Sequence, residues 1–145
     1  MSLNSRRLQP LQQLAEDREE KAARRLLDCQ RLVAEREQRL HELTGYVAEY
    51  ERTEMAGSVQ LLRNRHAFLE RLRAALEFQR QLVEQARRDC ETERGRWLSQ
   101  RRDLSVLDQM AAMYRRREAH AEEQRAQKRM DDFAIHRHLR LLESR

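Results

Sequence analysis

The chain has 145 residues, 38% of them charged and 5% aromatic, with only 3 glycines and 1 proline. So few turn formers exclude a fold of many short elements, and so little apolar content excludes a thick core; the apolar residues must line a narrow stripe along long helices. The net charge of +5 rests on 30 basic residues, nearly all arginine since only Lys21 and Lys128 are lysines, yet acids and bases interleave, as in Asp17-Arg18-Glu19-Glu20-Lys21. A basic balance invites acidic partners, whereas interleaving marks a solvated helix face with i,i+4 pairs.

Helical signals begin near Ser5 and run to about Met55, with Pro10 inside the first turns, where proline costs least. Ala56-Gly57-Ser58 predicts the one turn: Gly57 can end the first helix in the left-handed conformation, and Ser58 can N-cap the second. Gly45 and Gly95 interrupt periodic stretches without turn signals; each costs about 1 kcal/mol against alanine and reads as a tolerated weak point. The second helix runs from about Val59 to about Leu142.

Heptads define the seam. In the first helix one core row is Leu26, Val33, Leu40 and Val47, and the other is Ala22, Cys29, Arg36, Leu43 and Tyr50. In the second helix the rows are Leu62, Leu69, Leu76, Val83, Cys90, Trp97, Leu104 and Ala111, and Arg65, Leu72, Gln79, Ala86, Glu93, Gln100, Leu107 and Tyr114. A seven-residue repeat held this long specifies a left-handed supercoil, and polar intrusions such as Arg36, Arg65 and Gln79 suit a two-stranded coil whose edges reach water.

The expectation is a single all-α domain over residues 1–145, a long antiparallel two-helix coiled-coil hairpin. Facing core residues then have numbers summing to about 112–119. Pairing reaches back to about residue 110 and leaves the C-terminal helix overhanging. The helices would be about 75 Å and 120 Å long. An unpaired helical overhang is marginal in water and is expected to order fully on a partner.

The two edges of the seam differ. One carries His66, Arg73, Arg80, Arg87 and Arg94 opposite Glu37 and Glu51, which predicts charge pairs such as Glu37 with Arg80. The other carries Leu61, Phe68, Ala75 and Leu82 opposite Leu32 and Tyr46. Leu32 and Leu82 read as a widened seam. Tyr46, Tyr50 and Phe68, gathered near the turn, exceed what a single facing helix can cover and read as an interface patch.

Other chemistries find no support. His136-x-His138 points two imidazoles to different sides of a helix, and His41, His66 and His120 lack ligand-spaced companions, so no metal site is expected. Cys29 and Cys90 sit on core rows and read as reduced thiols, and Trp97 reads as seam packing. There is no phosphate loop or nucleophile elbow, and a thin coil offers no concave pocket; no enzyme and no cofactor are expected. No apolar run is long enough to span a membrane or to serve as a secretory signal, so the expected address is a reducing cytoplasm.

The residues nevertheless carry a family likeness. A short basic N-terminus, Leu11-x-x-Leu14, Arg18-Glu19, Leu43-x-x-Tyr46-x-x-x-Tyr50, Phe68-x-x-x-Leu72-x-x-Ala75 and the tail from Glu123 to Ala134 together resemble the FliJ family of flagellar type III export proteins. The likeness covers nearly the whole chain. It implies a cytoplasmic stalk resembling the γ subunit of rotary ATPases, peripheral at the cytoplasmic face of the inner membrane. Its termini-bearing end would enter the hexameric export ATPase through Leu11, Leu14, Arg18, Lys128, Met130, Asp131 and Phe133. Leu43, Tyr46, Tyr50, Phe68, Leu72 and Ala75 would contact the cytoplasmic part of the export gate membrane protein. The stalk would thereby couple ATP hydrolysis to export. Family members are also described as escorting export chaperones, which adds these as implied partners. Arg39 stands where the family commonly has an amide, and Gln79 where it commonly has a histidine.

Three other readings compete. An equivalent stalk of an injectisome differs only by resemblance. An arginine-rich nucleic-acid-binding coil would need a dense basic face, but Arg115-Arg116-Arg117 is the only tight cluster and acids follow it, so no nucleic-acid partner is expected. A generic scaffold would homodimerise through the overhang.

Overall fold

A computed structural model describes residues 4–53 and 57–144. The fold is all-α. Two helices, α1 (Ser5–Arg52) and α2 (Val59–Glu143), pack antiparallel as a coiled-coil hairpin in which α2 overhangs. The expected last residues of the first helix, to about Met55, and Ala56 of the expected turn lie outside the described residues. The hairpin divides into two compact units: the described residues of Met1–Arg18 with those of Arg101–Arg145, and Glu19–Gln100.

In the Glu19–Gln100 unit, Ser58 caps α2 by accepting a hydrogen bond from the Leu61 N–H at 3.4 Å. Gly57 departs from expectation, because no described glycine has a positive φ. A Cβ at Gly57 would stand 2.7 Å from Leu61 Cδ1, so this glycine relieves a close approach and not a left-handed backbone. Both expected core rows face inward: Ala22, Val47, Leu76, Val83 and Ala86 are buried, and Leu26, Cys29, Val33, Leu40, Leu43, Leu69 and Cys90 are half-buried. Leu62 is the exception and is exposed. Its facing positions, about 50–57, run past Arg52, the end of α1, so only the last residues of that helix are there to cover it.

Two polar residues on the core rows, Arg36 and Gln79, are tied across the seam to backbone. Arg36 Nη1 donates to the Leu82 carbonyl at 3.1 Å, and Gln79 Nε2 donates to the Arg36 carbonyl at 3.0 Å. This reciprocal lock supplies buried polar groups with partners and pins one register. Trp97 Nε1 donates to Glu19 Oε1 at 2.9 Å, which gives the half-buried indole its polar partner. Cys29 and Cys90 are free, half-buried thiols. Desolvation first, then Glu93 and the neighbouring Cys90, hold the Cys29 thiol above its usual pKa.

The charged edge forms, one heptad out of the expected step. Glu37 pairs with Arg87 at 2.9 Å and Glu51 with Arg73 at 3.0 Å, whereas Arg80 pairs within its own helix with Glu77. The cause is the tilt of every Cα–Cβ bond toward the N-terminus of its helix. In antiparallel helices Glu37 leans away from the turn while Arg80 leans toward it, so these two diverge. Arg87, one heptad farther from the turn, leans back to meet Glu37.

In the other unit, Asn4 caps α1 by accepting the Arg7 N–H on Oδ1 at 3.0 Å. Pro10 lies within the helix near its start. Leu8 and Ala15 are buried, continuing the Ala22 row upstream by two heptads, and Ala111 is fully buried. Gln12 Nε2 donates to Asp108 at 2.9 Å, and pairing extends past the expected residue 110, where the Ser5 N–H and Oγ donate to the Glu118 carboxylate at 2.9 and 2.7 Å. Those two bonds from Ser5 hold the Glu118 carboxyl below its usual pKa. Beyond Glu118 the described residues of α2 are exposed apart from half-buried Ala126.

Candidate protein-binding surfaces

The first surface belongs to the Glu19–Gln100 unit. Tyr46 and Tyr50 are one turn apart on α1, and Phe68 and Leu72 are one turn apart on α2, so each pair shares a helix face. The Tyr50 and Phe68 rings meet at a centroid distance of 4.8 Å and a tilt of 55°. Tilted contact at this range is favourable between aromatic quadrupoles. Tyr46, Glu49, Tyr50, Thr53, Phe68 and Leu72 line a shallow open groove. Tyr46 is 61% and Phe68 43% exposed although both are large and largely apolar, whereas Tyr50 is half-buried. Of the remaining sequence candidates, Leu43 is half-buried in the seam and Ala75 is exposed; neither lines the groove.

Gln79 is buried in the Arg36 lock, whereas Arg39 is exposed. Sequence reasoning missed Glu49, Thr53 and Arg65. Glu49 and Thr53 flank Tyr50 on the same helical strip, and the numbers of Arg65 and Tyr50 fall within the facing range, so the signal was present.

The second set of candidates lies in the other unit. Leu11 (48% exposed), Leu14 and Arg18 follow one exposed stripe of α1, and Lys128, Met130, Asp131 and Phe133 (71% exposed) stand on the overhanging part of α2. The structure does not gather them into one site. Residues 128–133 begin ten residues beyond Glu118, where α1 pairing ends, a gap of about 15 Å at 1.5 Å per residue. Met130, Phe133, Ile135, Leu139, Leu141 and Leu142 leave the overhang with exposed apolar side chains.

Both surfaces are convex or barely grooved and built of apolar and long charged side chains, which suits burial against another protein. Among the described residues no group of three His, Cys, Asp or Glu side chains is placed to hold a metal, and no helix is long and apolar enough to cross a membrane.

The family profile described as "Flagellar FliJ protein" matches residues 4–143. The chain belongs to the FliJ family. The match spans both helices, so it takes in both candidate surfaces, and membership makes this a flagellar export-related protein. No curated protein and no solved structure matches the chain.

Proposed function

We propose that this FliJ-family chain is a coupling stalk of the flagellar type III export apparatus, binding two partners through two separate surfaces. The observation that carries the reading is the Tyr46–Tyr50–Phe68–Leu72 groove, in which large aromatic side chains stay exposed although the coil could bury only its seam. Aromatic residues at the centre of a surface patch are the usual anchors of protein interfaces. The groove, with Leu43 and Ala75 beside it, binds the cytoplasmic domain of the export gate membrane protein. Leu11, Leu14 and Arg18 on α1, with Lys128, Met130, Asp131 and Phe133 on the overhang, bind the hexameric export ATPase in the manner of a rotary γ subunit.

Their separation along the coil supports an ATPase contact made by an extended helical face and not by one pocket. Binding there stabilises an overhang that has no partner helix of its own. The protein works in the cytoplasm, peripheral to the inner membrane, and export chaperones are further partners. Titrating the full chain into the purified ATPase tests the coupling role: substoichiometric amounts raise the hydrolysis rate or promote ring assembly. A rate and an oligomeric state unmoved over a wide titration refute it.

A further inference from the structure

Arg65 stands on a core row of α2, where an apolar residue would pack without any polar atom to satisfy. Its Nη2 instead donates to the carbonyls of Tyr50 at 2.9 Å and Glu51 at 3.3 Å. These carbonyls lie in the last turn of α1, which ends at Arg52, where helix carbonyls lack an intrahelical partner. The same guanidinium lies 5.9 Å from the centroid of the Tyr50 ring, within cation–π range, and that ring stacks on Phe68. One side chain thus grips both the backbone and the ring of Tyr50 from the opposite helix. Its Nε is buried with no hydrogen-bond partner, a local cost in stability that an aliphatic residue would avoid.

We infer that Arg65 is the positioning residue of the aromatic groove: it holds the end of α1 and the Tyr50 ring against Phe68, so that the groove is formed before a partner arrives. The inference rests on the reading of that groove as the gate-binding surface. A surface set in advance binds more tightly because less ordering remains to be done on association. Arginine suits the task better than lysine, because its planar, delocalised cation lies over the ring while one end of the same group, Nη2, serves both carbonyls.

The test compares the full chain with Arg65→Leu and Arg65→Lys by three readouts: ring–ring nuclear Overhauser contacts between Tyr50 and Phe68, calorimetric affinity for the purified gate domain, and stimulation of the ATPase. Arg65→Leu is expected to lose the Tyr50–Phe68 contacts and to bind the gate domain about tenfold more weakly, with ATPase stimulation unchanged and a melting temperature within a few degrees of wild type. Arg65→Lys falls between the two. An Arg65→Leu chain that keeps the ring contacts overturns the inference, as does one that loses gate and ATPase binding together with a large drop in melting temperature. Should the wild-type chain fail to bind the gate domain, the proposed function fails, and the ring contacts alone decide the role of Arg65.

Discussion

Truncating Leu8 to alanine separates a buried anchor from its exposed neighbour Leu11 three residues away. Leu8 is 2% exposed and the largest fully buried side chain among the described residues, on the row that Ala15 and Ala22 continue. Removing a buried leucine side chain to alanine costs about 2–5 kcal/mol; a seam covered by a single facing helix relaxes more readily than a globular core, so the lower part of that range, about 2.7 kcal/mol, applies. At about 1.4 kcal/mol per tenfold, the opening equilibrium of the α1 start shifts about a hundredfold. Amide hydrogen exchange reads this directly: residues 5–18 lose about a hundredfold in protection, while amides around Val83 and Ala86 keep theirs. Leu11→Ala, at a 48% exposed position, changes the same amides by less than about threefold. Equal effects from the two substitutions, or the larger one from Leu11, would refute the register of this unit.

Gly45 and Gly95 both lie inside helices, where an added Cβ meets nothing within 4 Å, so Gly45→Ala and Gly95→Ala each stabilise by about 1 kcal/mol, seen as a higher urea midpoint. A lower midpoint for either would mean that the helix needs its glycine. A double-mutant cycle on Glu37 and Arg87 gives a coupling of about 0.2–1 kcal/mol that shrinks in high salt, and the Glu37–Arg80 cycle gives none; the opposite ranking would contradict the edge geometry. The Glu118 carboxyl titrates below its ordinary range, so its support of the α1 start is fully present above the unfolded carboxylate pKa of about 4.3 and is lost as pH falls through the lower folded value. Exchange at the first turns of α1 should accelerate only in that acidic window, and Glu118→Gln should abolish the dependence.

The repeat made the architecture legible, because a seven-residue period leaves each helix a single inward face. Both rows of the seam, from Ala22 to Tyr50 and from Leu69 to Tyr114, could be read from spacing alone. The ion-pair partners could not, because spacing ignores the lean of each Cα–Cβ bond, and that lean moved Glu37 from Arg80 to Arg87. Leu8 and Ala15 escaped notice because alanine and one leucine, with polar Gln12 and Glu19 on the Leu26 row between them and Ala22, make a weak apolar signal. At the groove, Tyr46, Tyr50, Phe68 and Leu72 stood out as aromatic and aliphatic residues beyond the needs of the seam. Arg65 read as an intrusion, since its worth lies in backbone carbonyls that no side-chain pattern displays.

Whether gate domain and ATPase bind through separate surfaces is decided by Tyr46→Ala. Tyr46 is 61% exposed, so its truncation moves stability by no more than about 0.5 kcal/mol, whereas loss of an aromatic anchor weakens an interface by about 2 kcal/mol, or about thirtyfold in Kd. Calorimetry with the purified gate domain, alongside ATPase stimulation by the same preparation, should show gate binding about thirtyfold weaker and stimulation intact. Wild-type gate affinity in the variant, or equal loss of both activities, would rule out Tyr46 as the anchor of a separate gate surface.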